Sequence, residues 1–271
     1  MIERMINFFK SIPELIRHSI YRLRMQKKWI ILTFSIGIAL ILLCVLMFKI
    51  MGTLDVKQAA IEYRLVGFFT FAMIWIAIYI NYRFYPRDFY VTRHYNVSPF
   101  LYHLISSAVY SVILLLLMFT FSLLKPVNTD TSIWGVLYYS LMSFVFILTF
   151  SFLLGMVYVL YSKLHRLYVL VTILLFLLAP IVYIPNVSNT ILTHILMMNP
   201  VYYLVNGMQQ SVIVGHDALN HMSYHFYFYS FMGLMVVFCF ALKDYVSQLR
   251  PNEHGVHHKD NVLNPKSCTL V

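Results

Sequence analysis

The sequence predicts an all-α membrane protein with six transmembrane helices, preceded by an amphipathic segment at the membrane surface. Composition, the spacing of apolar runs and the placement of Lys and Arg carry this prediction. Of 271 residues, 61% are hydrophobic and only 11% charged, more apolar surface than a soluble core of this length can hide. The apolar residues fall into runs long enough to cross a bilayer. The basic residues collect in alternate connections between those runs.

The first three runs are Trp29 to Phe48, Leu65 to Tyr82, and Phe100 to Leu124, where His103 is the one ionisable interruption. Each crosses about 30 Å of hydrocarbon at about 1.5 Å per residue. The uncharged stretch from Thr131 to Ser162 is too long for one untilted helix and too short for two crossings with a turn, so it reads as a single long span. Leu167 to Tyr183 is the fifth run and Met222 to Leu242 the sixth. The parts are therefore an interface segment over residues 1–28, a six-helix membrane domain over 29–243 and a tail over 244–271. Mostly polar residues precede the first run and no small-residue cleavage site follows it, which does not fit a cleaved signal peptide.

Six spans put both termini on one side. That side collects sixteen of the twenty Lys and Arg, leaving Lys49, Lys57, Arg64 and Lys125 opposite. The expected orientation has both termini in the cytoplasm. Topology and anionic headgroups account for the net charge of +10, and no basic soluble domain argues for nucleic acid. The cysteines Cys44, Cys239 and Cys268 form no CxxC pair, so neither a disulfide framework nor a zinc knuckle is indicated.

Two cytoplasmic segments have local organisation. Ser11 to Glu14 reads SIPE, the spacing of a capping box with Pro13 in the first turn. Leu15, Ile16, Ile20 and Leu23 then form a stripe with Arg17, Arg22 and Arg24 away from it, as expected of a helix lying along the interface. The connection from Arg83 to Pro99 mixes basic and aromatic residues with two prolines. It has room for a short helix and suits either a lipid-facing loop or docking to another protein.

The run MMNPVYYLVNGMQQSVIVG, Met197 to Gly215, carries no charge. Asn199 is a good N-cap, Pro200 a good first helical residue and Gly215 a good terminator. The helix between them is about 22 Å long, too short to cross. Val201, Leu204, Val205, Met208 and Val212 make one stripe; Tyr202, Tyr203, Asn206, Gln209 and Gln210 make another. The second stripe can bond a sugar-like substrate without charge, and the same residue types also anchor helices at the membrane interface.

Other motifs give competing readings. His221 and His225, one helical turn apart beside His216 and Asp217, have a metal-ligand spacing, but no HExxH motif and no acid in the spans complete a metalloenzyme. Asn96 and Asn186 each begin a glycosylation sequon, yet they fall on opposite sides of the membrane. The histidines from His254 to His258 read as a solvated tail, and His103 as a histidine bonded to a neighbouring helix.

The stretch from Leu174 to Gly215 resembles the permease subunit of ABC-2 type transporters, in the polysaccharide and teichoic acid export branch. Ala179, Pro180 and Tyr183, followed by Asn199, Pro200 and Tyr202, stand where that branch ends its fifth span and carries an Asn-Pro-x-Tyr-like element. The resemblance implies an extracellular re-entrant helical hairpin between spans five and six. It also implies a homodimer in a bacterial plasma membrane, bound to two copies of a separate ATPase that holds ATP and Mg, with a lipid-linked polymer as cargo and membrane lipid around it. Coupling to the ATPase would run through Glu14, Arg17, Arg87, Asp88 and Arg93. The outer gate or substrate path would comprise Pro180, Tyr183, Asn199, Pro200, Tyr202, Tyr203, Asn206 and Gln210. None of the nine glycines is followed by Lys, so this chain has no Walker A loop and is expected to need no cofactor of its own. The alternatives are an ABC-2 exporter of a peptide, lipid or drug, and an intramembrane metal enzyme.

Overall fold

The computed structural model describes residues 2–51, 55–94, 99–125, 130–161, 163–184, 190–220 and 222–248. These form helices joined by turns, with no strand among the described residues. The order is α1 (Ile2–Met51), α2 (Asp55–His94), α3 (Phe100–Leu124), α4 (Ile133–Leu160), α5 (Leu164–Leu178), α6 (Thr190–Met197), α7 (Pro200–Gln209) and α8 (Met222–Gln248). Five of them, α1, α2, α3, α4 and α8, are long and apolar enough to cross a membrane. The chain is an all-helical, multi-pass membrane protein. The apolar α5 is shorter, with 15 residues, and stops before the Ala179–Pro180 turn, because Pro180 has no N–H with which to continue the helix.

Several boundaries differ from the sequence expectation, most of all those of α1 and α2. α1 does not start at Ser11: it runs unbroken for 50 residues, through Pro13 and across the junction at Trp29. The interface segment and the first span are thus one helix, in which the capping-box residues are interior. Similarly, α2 does not end near Tyr82 but continues for 40 residues through Pro86 to His94. Most of the connection from Arg83 to Pro99 is therefore an extension of the second span. The third and fourth spans match the apolar runs. α3 covers Phe100–Leu124, and α4 begins after Ser132, whose hydroxyl accepts from Gly135 N at 3.1 Å.

α2 is the hub. In its most apolar window 72% of residues are buried, against 11% for α1, and it packs on α3, α4 and α7. Aromatic rings fill its contacts with α4 and α5: Trp75 stacks on Tyr168 at 5.6 Å and on Phe150 at 6.1 Å. Tyr168 Oη donates to Trp75 O at 2.7 Å, and the Trp75 indole N–H donates to Thr172 Oγ1. Such bonds hold α5 in place where lipid supplies no hydrophobic drive for helices to associate.

The face that α1 turns inward near its start is polar. Ser19, Arg22 and Gln26 are buried while Ile16 and Ile20 are exposed. Arg22 Nη1 lies 3.1 Å from Asp88 Oδ2 of α2, with both side chains almost fully buried. This ion pair fastens the first half of α1 to the end of α2. Removing one partner strands a charge in a low-dielectric site, so Asp88→Asn is expected to cost about 3–5 kcal/mol of stability. Reversal of both charges should recover part of the loss. Thermal unfolding of the purified protein would measure both effects; an unchanged midpoint for Asp88→Asn would exclude the tie.

Candidate functional site

The uncharged helix expected between Pro200 and Gly215 is present, and its ends are built as the residues imply. Asn199 has an extended backbone, and its Oδ1 accepts from Val201 N at 3.0 Å, with Pro200 in the first turn. At the far end the helix widens into a π-helical turn over Gln210–Val214, closed by Gly215 N donating to Gln210 O at 2.8 Å. Gly215 has φ of 87°, a conformation that a Cβ would strain. The widened turn leaves the Val212 carbonyl to side chains: Lys125 Nζ and Thr131 Oγ1 each donate to it at 3.0 Å. Burial lowers the Lys125 ammonium below the ordinary lysine value, opposed by Glu62 and Asp130.

The surroundings of α7 are those of a core helix rather than an interface anchor. Every residue from Val201 to Gln209 is buried, the polar stripe as deeply as the apolar one. Glycines permit the approach. A Cβ on Gly67 of α2 would overlap the Gln209 amide, and one on Gly207 would overlap the Tyr139 ring of α4.

Each polar side chain of the stripe has a distinct place. Asn206 Oδ1 accepts from Tyr63 Oη of α2 at 2.7 Å. Tyr203 stacks on Phe228 of α8 at 4.8 Å and bonds to His225 Nδ1. The other ring nitrogen of His225 faces Leu219 O at 3.3 Å. A carbonyl only accepts, so in the neutral ring Nε2 carries the hydrogen and Nδ1 accepts from Tyr203. Both His225 nitrogens are thereby engaged, which counts against a metal-ligating pair; His221 and the side chains of His216 and Asp217 lie outside the described residues. Tyr202 is fully buried with its hydroxyl unbonded. Tyr183 is half-buried, and its hydroxyl donates to Leu178 O at 3.0 Å.

The residue with the most connections is Gln209, the neighbour of the expected Gln210. Gln209 Nε2 donates to Tyr63 O at 2.9 Å and to Pro180 O at 2.8 Å. One amide thus joins α7 to α2 and to the turn after α5. Gln210 is half-buried and contributes its backbone to the π turn. The signal was available in part, since Gln209 lies three residues beyond Asn206 on the same stripe, but its partners are remote in sequence. The expected path residues Pro180, Asn206 and Tyr203 are brought together around α7 by hydrogen bonds.

The expected coupling residues separate. Asp88 is buried against Arg22 and is not free to meet a partner. A buried carboxylate beside a guanidinium holds the first half of α1 against α2. Arg17 and Arg87 are exposed, with Arg87 Nη1 3.8 Å from Met25 Sδ. The side chains of Glu14 and Arg93 lie outside the described residues, as do Asn96, Asn186 and residues 249–271; residues 244–248, expected in the tail, continue α8.

Gln209→Leu would leave two carbonyls without their side-chain donor, and a destabilisation of about 2 kcal/mol or more is expected. Gln210→Leu should stay within about 0.5 kcal/mol, as at other partly exposed positions. Paired thermal melts would test this; equal effects at the two positions would contradict the assignment of Gln209 as the tie.

No model of a known protein family matches the chain, and no curated protein matches it either.

Proposed function

We propose that this chain is the permease subunit of an ABC-2 type exporter, moving a lipid-linked polysaccharide or teichoic acid-like polymer out across a bacterial plasma membrane. The observation that carries this reading is α7. A helix of ten residues, too short to cross, is capped at Asn199 and Pro200 and buried between α2 and α4. A plain bundle of spanning helices has no need of such an element. On this reading α5 and the turns to Tyr183 complete a sixth crossing, and α6 with α7 form a re-entrant hairpin entered from outside.

The hairpin acts as an outer gate. Its bonds to Tyr63, Pro180 and His225 are made by neutral groups, each of which can exchange an internal partner for a hydroxyl of a passing polymer without exposing a bare charge. The termini are cytoplasmic, following the basic residues. A separate ATPase engages the exposed Arg17 and Arg87, and the Arg22–Asp88 pair passes its movement from α1 into α2. Two copies of the chain and two of the ATPase make the working unit.

The test is purification from native membranes followed by reconstitution. An ATPase should co-purify, and its hydrolysis should drive polymer transport into inverted vesicles. Tyr203→Ala with Asn206→Ala should slow transport without releasing the ATPase. A chain that purifies without an ATPase and moves no polymer under ATP would overturn the reading. Orientation is checked separately: in a cysteine-free background, cysteines at positions 128 and 189 should react with an impermeant thiol reagent on intact cells, and one at 252 should not. Labelling at 252 would exclude cytoplasmic termini.

A further inference from the structure

Glu62 precedes the second apolar run, which starts at Leu65. The structure nevertheless places it inside the part of α2 that is apolar enough to cross a membrane, Lys57–Thr92. Only 1% of its surface is exposed, and neither carboxyl oxygen has a hydrogen-bond partner. Gln58, one turn before it, and Val66, one turn after, are buried as well. Lys57 and Arg64, on the same stretch of α2, are exposed, so the carboxyl lies near the aqueous side of the bundle without touching it.

The charged and titratable groups that face Glu62 come from other elements. Cys44 of α1 and Lys125, at the end of α3, are within electrostatic reach of it, and Asp130, before α4, reaches Lys125 in turn. α7 and its π turn carry no charged side chain. Lys125 is the cation of this group, and its ammonium is committed elsewhere, donating to Thr131 Oγ1 at 2.7 Å and to Val212 O of the π turn at 3.0 Å. An ionised carboxylate can only accept hydrogen bonds, and a buried one without a donor is among the costliest groups in a protein interior. Such a group takes up a proton instead. A proton needs no cavity, so close packing around Glu62 is no obstacle.

We propose that Glu62 is a proton-binding site, neutral in this structure, and that the bound proton leaves Lys125 free to hold the end of α7. When the proton departs to water, the carboxylate is left facing one ammonium, and Lys125 is drawn to it from Val212 O. The π turn then keeps Thr131 alone of the two donors to that carbonyl. Acid favours the latched turn and alkali the released one. The proton site stands on the geometry around Glu62; only the reading of the π turn as part of a gate rests on the proposed function.

The experiment is infrared difference spectroscopy of the full chain in lipid nanodiscs, with no ATPase or polymer present. A protonated carboxyl absorbs apart from a carboxylate. Isotope labelling of glutamate carboxyls identifies the band without any substitution, because the other glutamates, Glu3, Glu14 and Glu253, lie outside the spanning segments. At neutral pH a carboxylic-acid band that moves with the label should be present in the parent and absent in Glu62→Gln. Its absence from the parent would overturn the proposal. As the pH is raised the band should disappear, and in Lys125→Met, which removes the cation that receives the charge, it should persist to higher pH. A band that does not titrate, or that is lost at the same pH in both, would overturn the link to Lys125. Val212→Cys in a cysteine-free background reads the turn itself. Its reaction with a permeant thiol reagent should rise with pH severalfold more when Glu62 is present than with Glu62→Gln, and equal pH dependences would overturn the latch.

Discussion

Inside a membrane-spanning bundle, a polar group that leaves water must find its partner within the protein, and the architecture around α7 follows from that constraint. The Gln209 amide nitrogen meets it by donating to two carbonyls, one on α2 and one in the turn after α5. Asn206 and Tyr203 meet it through Tyr63 and His225. Because these bonds run to three different elements, α7 cannot shift without breaking bonds at several places together. The glycines at 67 and 207 serve the same end, since a side chain at either would hold the helices too far apart for the bonds to form.

The same constraint acts at the junction of α1, α2 and α3 with charged groups. The Arg22–Asp88 pair turns the first half of α1 into part of the bundle rather than an appendage at its surface. α1 is otherwise lightly packed, with much of its apolar surface exposed. Its span is seated on α3 through Ile41 and the close approach of Gly37 to Leu117, and the ion pair adds the tie between its first half and α2. α2 in turn packs on α7, so one helix connects the two polar sites.

What was legible in the sequence was whatever is encoded locally. The cap at Asn199 and Pro200, the stop at Gly215 and the limits of α3 could be read because each depends on a few adjacent residues. Both faces of α7 are buried, and this could not be read, since a stripe of Tyr, Asn and Gln looks the same whether it faces headgroups or the side chain of Tyr63, 143 residues away. The continuity of α1 was hidden for a related reason. SIPE is a sound helix start by local rules, but α1 extends on both sides of Pro13. The burial of Asp88 could not be read, because its partner Arg22 lies on another helix, 66 positions earlier in the chain. Gln209 was passed over for Gln210 because adjacent identical residues differ only in direction, and direction is fixed by packing.

The uncharged helix from Pro200 to Gln209 is a buried part of the bundle and not an anchor at its surface. A cysteine scan along that helix tests it most directly, using a small membrane-permeant thiol reagent on native membranes in a cysteine-free background. Uniform protection from Val201 to Gln209, with reactivity appearing at the exposed Val214 and everywhere after denaturation, is the predicted result. Reactivity that rises and falls with the helical repeat would place one face of α7 outside the protein and contradict the account.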